Sequence, residues 1–158
     1  FATGLIYGPS GCGKSTLFKA GLLPHLSDRI TTVHVDATPD ETEERLIRAL
    51  RKECPELAPC LDLPRSIAFL RRSRKFSSDA KLLIVIDQFE QWLHAINDDN
   101  GRNELVTALR QCDGSHVQCL LFHDATTSTG NHHPPMLGHS LAEFDGSLIL
   151  GMIRIRSR

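Results

Sequence analysis

The sequence predicts an α/β fold, a mostly parallel sheet enclosed by helices in three layers, and three observations predict it. Gly8-Pro9-Ser10-Gly11-Cys12-Gly13-Lys14-Ser15 matches the P-loop pattern G-x-x-x-x-G-K-[ST] at every fixed position. That loop lies between a strand end (Leu5, Ile6, Tyr7) and a helical stretch over residues 16–23. Further on, Lys81-Leu82-Leu83-Ile84-Val85-Ile86-Asp87-Gln88-Phe89-Glu90 carries five consecutive apolar residues closed by an acid. Such a β-branched run reads as a strand buried on both faces.

A strand, a tight glycine turn and a helix start together make an anion site. Glycines let the backbone curl until successive N–H groups point at phosphate oxygens. The helix that follows adds its N-terminal amides and the positive end of its dipole. In this reading Gly8, Pro9, Ser10, Gly11, Cys12, Gly13, Lys14, Ser15 and Thr16 bind the nucleotide. Lys14 reaches the β- and γ-phosphates, and the Ser15 hydroxyl ligates Mg²⁺. Asp87, at the end of its hydrophobic strand, is in the Walker B arrangement and holds the same ion. Ligands of open α/β sheets lie beyond the carboxyl ends of the strands, where both motifs terminate.

The remaining elements follow in order. In the first helix Leu17, Ala20 and Gly21 share one side with Phe18 and Leu22 beside them, and the helix stops near Pro24. Residues 31–36 are a β-branched second strand in which His34 is a packed or edge-facing side chain. Thr38 is a fitting N-cap, Pro39 suits the first turn and Glu41 closes a capping box for a helix with Leu46, Ile47 and Leu50 inward. Residues 54–64, with three prolines, form a connector. Residues 65–74 form a short helix with Ile67, Ala68 and Leu70 inward, and its basic end (Arg71, Arg72, Arg74, Lys75) suits a helix C-terminus. Phe89, Trp92, Leu93 and Ile96 have helical spacing, residues 97–101 are a polar turn, and residues 104–112 are a helix with Leu105, Ala108, Leu109 and Cys112 on one face. Residues 117–122 are a fourth strand.

Composition is that of an ordinary globular domain: 158 residues, 41% hydrophobic and 23% charged. A formal net charge of −1 offers no argument for nucleic acid or a membrane surface. No run reaches the roughly 18 apolar residues of a membrane span. Five cysteines without a C-x-x-C pair favour reduced thiols and a cytoplasmic setting over a disulfide framework or zinc site. The chain opens at Phe1 with the P-loop strand almost at once, which reads as an excerpt from a longer protein.

The P-loop GPSGCGKST running on into FKAGLLP, with the later LLIVIDQFEQW, resembles the novel STAND NTPases, signal-transduction ATPases of the bacterial kinase-associated and conflict-system type. The similarity runs over residues 4–122. It implies the N-terminal part of a P-loop NTPase three-layer sandwich, with the Walker B strand separated from the P-loop strand by one other strand. It implies ATP with Mg²⁺. It also implies neighbours in the same longer chain, an effector such as a protein kinase and a sensor array of repeats. ATP-dependent self-association is a further expectation.

Two units are therefore expected: an NTPase core over residues 1–122 and an atypical tail over residues 123–158, disordered or outside the family's reading frame. The tail is rich in Thr, His, Pro and Gly, lacks the Arg-Asp-Asp-Phe-type segment usual in the family, and regains a strand-like pattern only at residues 148–153. This leaves the C-terminal part of the fold incomplete and the polar sensor position after the fourth strand unassigned. The functional expectation is a Mg²⁺-dependent ATPase acting as a regulatory switch, with Lys14, Asp87, Gln88 and Glu90 as its catalytic residues. Gln88 holds the place where many P-loop ATPases carry a glutamate, so hydrolysis should be slow. Glu90 either swings toward the γ-phosphate or faces solvent. The alternatives are a nucleotide-binding fragment without catalysis, an ABC-type ATPase and a small-molecule kinase. The ABC reading needs an LSGGQ-like segment before Asp87, and residues 72–80 offer none.

Overall fold

In a computed structural model, which describes residues 1–76, 80–95, 103–125, 144–145 and 152–155, the chain is an α/β sandwich. Four strands form an all-parallel sheet: β1 (Thr3–Pro9), β2 (Ile30–Asp36), β3 (Lys81–Asp87) and β4 (Val117–Ala125). Their order is β2-β3-β4-β1, so one strand, β4, separates the glycine-rich loop's strand from the strand ending in Asp87. Beyond β1 the sheet continues with an antiparallel pair, β6 (Met152–Ile155) against β1 and β5 (Phe144–Asp145) against β6. The strand pattern over residues 148–153 thus lands in the sheet at Met152 and Ile153, while residues 148–151 lie outside the described residues, as do Ile96, the turn at 97–101 and the tail from 126 to 143.

Both faces of the sheet are covered, which is why β3 is apolar without alternation. Val33, Val35, Leu82, Ile84, Ile86, Val117, Cys119 and Leu121 face α2 (Thr42–Glu53), α3 (Leu63–Arg72), α4 (Phe89–His94) and α5 (Asn103–Leu109) in the main core. Leu83, Val85, Leu120 and Phe122 face the other way, onto Phe18. Ile84 lies at the middle of β3, an inner strand, and is fully buried. Ile84→Ala should lower stability by about 2–5 kcal/mol, since the lost transfer energy adds to a cavity that neighbouring strands cannot collapse. Urea unfolding followed through Trp92 fluorescence would show the shifted midpoint.

The helix after the glycine-rich loop departs from the regular winding expected. A single α-turn, α1 (Lys14–Thr16), passes into wider π-type turns (Leu17–Leu22) and a closing 3₁₀ turn (Leu23–His25) that contains Pro24. The wider winding rotates the apolar stripe, so Phe18 alone is buried and Leu17 is 71% exposed. The start of α2 also differs. Thr38 Oγ1 accepts the Glu41 N–H, half of the expected capping box, but the return bond to the Thr38 N–H comes from Thr42 Oγ1. The Glu41 carboxylate pairs with Arg45 instead, and the helix begins at Thr42. In α3, Asp62 caps through its carboxylate on the Arg65 N–H, with Pro64 in the first turn, two residues ahead of the expected start. Ser66 is buried there with Ile67 and Leu70, while Ala68 is half-buried.

Polar ties fix how the helices sit on the sheet. Trp92 Nε1 donates to Glu43, joining α4 to α2 at 2.9 Å. Leu63 N–H donates to Glu104, joining α3 to α5. At the basic end of α3, Arg71 donates to the Gln111 carbonyl and Lys75 to the Glu53 carbonyl, so two of its four cations serve packing. Asp113 shapes the turn into β4, accepting from the N–H groups of Ser115, His116 and Val117 and bonding the His116 ring. Partial burial pushes its carboxyl up, but these donors outweigh that and hold it down at about 2. A depressed carboxyl contributes stability above its unfolded value and loses it as pH falls through the folded one. The stability of this turn should therefore be lost between about pH 4 and pH 2, and Asp113→Asn should flatten that part of the acid-unfolding curve.

Candidate nucleotide site

The site lies at the carboxyl edge of the parallel sheet, where β1 runs into the glycine-rich loop and β3 and β4 end. Gly11 (φ 76°) and Gly13 (φ 87°) are left-handed, a conformation costly for any side-chain-bearing residue, and open space surrounds the position of a β-carbon at each. A β-carbon at Gly8 would instead press on Cys12 Sγ at 3.2 Å and reach the Lys14 stem at 3.7 Å, so the loop closes over its own lysine.

Lys14 is turned into the loop, its side chain 8% exposed. Its Nζ donates to the carbonyls of Gly8 and Pro9, both at 2.8 Å, and forms an ion pair with the Asp124 carboxylate at the end of β4. The parallel register produces this pairing, because it sets Gly8 of β1 opposite Asp124 of β4. Burial pushes the Lys14 ammonium down, but the Asp124 contact outweighs it and raises its pKa. The Lys14 hydrogen bond likewise lowers the pKa of Asp124. An anion therefore already rests on the lysine, and the donor set fits the negative oxygens of a phosphate.

Asp87, 8% exposed in its side chain, ends β3. Its Oδ1 accepts the Gln88 N–H at 2.9 Å, while Oδ2 stands 3.8 Å from His34 Nε2 on β2. Gln88 is exposed and left-handed (φ 54°), the one non-glycine residue with positive φ among the described residues. The backbone reverses there into α4. Ser15 is half-buried and Thr16 exposed on the first turn after the loop. Glu90 does not face solvent as one expectation had it. It is buried, and its Oε2 accepts the Asp124 N–H at 3.0 Å, because Phe89 and Trp92 anchor α4 in the core and turn Glu90 toward β4. His123, next to it, is buried against Tyr7, and burial lowers its pKa.

The structure thus brings Lys14 and Glu90 together through one residue, Asp124, that sequence reasoning leaves in the tail. β4 runs three residues past the expected strand end, and Asp124 within that extension reaches Lys14. A polar residue closing the strand beside the P-loop strand was the available signal. The metal ligands expected, Ser15 and Asp87, follow β1 and end β3 on the same edge of the sheet.

A family model described as Novel STAND NTPase 1 matches residues 2–143. No curated protein matches the chain. Among solved structures the chain is similar to the ORC2 protein of Aeropyrum pernix, determined as ADPNP–ADP complexes, with a TM-score of 0.51 and 18% identity. That likeness covers 77% of this chain and 35% of the other, so this chain spans about a third of the length of that protein, and at this identity the likeness concerns the fold alone. No helix among the described residues is long and apolar enough to cross a membrane.

Proposed function

From the premise that the chain belongs to the Novel STAND NTPase 1 family, we propose that it is the ATP-binding and slowly hydrolysing switch domain of a larger signalling protein. The observation that carries this reading is Lys14, held under the glycine-rich loop with a carboxylate on its ammonium where phosphate oxygens would sit. Gly8 to Thr16 cradle the phosphates in this proposal, and Ser15 and Asp87 hold Mg²⁺. When bound, the ion would supply charge neutralisation to the phosphates.

The chain's own residues do the rest. ATP displaces Asp124 from Lys14, because a polyanion outcompetes a single carboxylate for the same ammonium. The displaced Asp124 stays tethered by its N–H to Glu90 on α4, so arrival of a γ-phosphate is felt at the end of β4 and at the helix that follows β3. Exchange of one discrete contact for another is what a switch requires. The effector, a protein kinase for example, and the sensor repeats lie elsewhere in the longer chain in this reading, which also places it in the cytoplasm and allows self-association when ATP is bound.

ATP titration calorimetry with and without Mg²⁺, beside single-turnover hydrolysis, tests the proposal. Micromolar binding with turnover below the roughly 1–100 s⁻¹ of kinases is expected. Binding without any turnover would favour a nucleotide-binding fragment, and absence of binding would overturn the reading.

A further inference from the structure

We propose that His34, Asp36 and Asp87 form a second metal site, selective for a borderline-soft dication such as Zn²⁺, at the carboxyl edge of β2 and β3. It rests on the reading above only in sharing Asp87 with the proposed Mg²⁺ site. One ligand atom from each of the three residues lies within 4.8 Å of the others.

The sheet assembles this set. His34 and Asp36 are two apart on β2 and so project to the same face, and parallel register sets Asp36 opposite Asp87. Val33 and Val35 take the opposite face into the main core. The Ala37 N–H donates to the Asp87 carbonyl at 2.8 Å, which locks the two strand ends together. Phe18 stacks on the His34 ring (6.1 Å between centroids, 15° between planes) and fixes its plane.

Three features favour an ion there. His34 Nε2 is a buried nitrogen with no hydrogen-bond partner, which normally carries a cost. Its 3.8 Å separation from Asp87 Oδ2 is too long for a hydrogen bond, yet an ion about 2.0–2.2 Å from each atom spans it. Two carboxylates on the same face of paired neighbouring strands repel each other, and a dication relieves that repulsion. The nitrogen decides the kind of ion: imidazole suits Zn²⁺ and its neighbours, whereas Mg²⁺ takes oxygen ligands. Three protein ligands leave a fourth position open to water, since Asp36 is exposed. An ion held here occupies Asp87 and competes with Mg²⁺ for it, so Zn²⁺ should inhibit turnover.

The chain titrated with Co²⁺ and with Zn²⁺ in the absence of nucleotide provides the test. One equivalent of Co²⁺ should give a ligand-field spectrum lacking the sulfur-to-cobalt charge-transfer band, which separates this site from the exposed thiols of Cys12 and Cys60. Zn²⁺ should displace it. His34→Gln and, on the exposed strand end, Asp36→Asn should each weaken binding by at least about tenfold, since even loss of a ligand's supporting contact costs about 10–100-fold. Both variants should keep the parent's ATP affinity, because Lys14 is untouched. Absence of a thiolate-free site, or one indifferent to both substitutions, would overturn the proposal and leave the ATP reading standing. Failure of ATP binding with an intact cobalt spectrum would do the reverse. In a second arm, Zn²⁺ should raise the Mg²⁺ concentration needed for half-maximal turnover in the parent and not in His34→Gln; equal sensitivity of the two would overturn the competition.

Discussion

Lys14→Ala should weaken ATP binding by about tenfold to a hundredfold in titration calorimetry. A hydrogen bond to a charged group is worth about 1.5–3 kcal/mol, and each 1.4 kcal/mol or so is a factor of ten. The loss should fall toward the upper end because of Asp124. In the parent that carboxylate is neutralised by Lys14. Without the lysine it stays beside the phosphate position and repels the ligand. This gives a control that a general loss of fold would not satisfy: Lys14→Ala combined with Asp124→Asn should recover part of the affinity. Asp124→Asn alone should bind ATP more tightly than the parent, since no ion pair has to be broken first. Ser15→Ala should weaken Mg²⁺-dependent binding more than metal-free binding. A Lys14→Ala protein that binds ATP as the parent does would remove the nucleotide assignment.

How much of this was legible in the sequence depends on how local the determining contacts are. β3 was readable residue by residue, because burial on both faces forces Leu82 to Ile86 to be apolar and Asp87 closes the run at the carboxyl edge of the sheet. The loop was readable because Gly11 and Gly13 need positive φ. The π-type winding after it was not, since helical periodicity assumes the regular turn that Leu17–Leu22 abandons. The capping box at the start of α2 was not, because the Thr42 hydroxyl takes the Thr38 N–H in place of the Glu41 carboxylate, a choice that spacing alone does not decide. Asp124 was the largest omission, and for one reason. It reaches Lys14 through the register between strands distant in sequence, Gly8 opposite Asp124, which no local pattern encodes.

Gln88→Glu should speed hydrolysis, by about tenfold or more, in single-turnover measurements at saturating ATP. An amide orients a water molecule but accepts its proton poorly, whereas a positioned carboxylate base contributes about 10²–10⁴-fold. The position suits a base, because Gln88 is exposed at the edge of the site, one residue beyond Asp87, and its N–H is already committed to the Asp87 carboxylate. The left-handed backbone there strains glutamine and glutamate alike, so the substitution adds little conformational cost. Glu90 is the competing base, and its geometry argues for a different part. Its carboxylate is buried on the Asp124 N–H, and reaching a γ-phosphate would leave that amide unsatisfied in the interior. Glu90→Gln keeps an acceptor oxygen for that amide and should hold the rate within about threefold, a modest effect beside the loss of a general base. Glu90→Ala removes the acceptor and should cost both rate and stability, as expected of a residue that positions the end of β4. A Glu90→Gln protein slowed more than tenfold, with Gln88→Glu unchanged, would transfer the role of base to Glu90. A parent already turning over at roughly 1–100 s⁻¹ would remove the slow step on which a persistent ATP-bound signal depends.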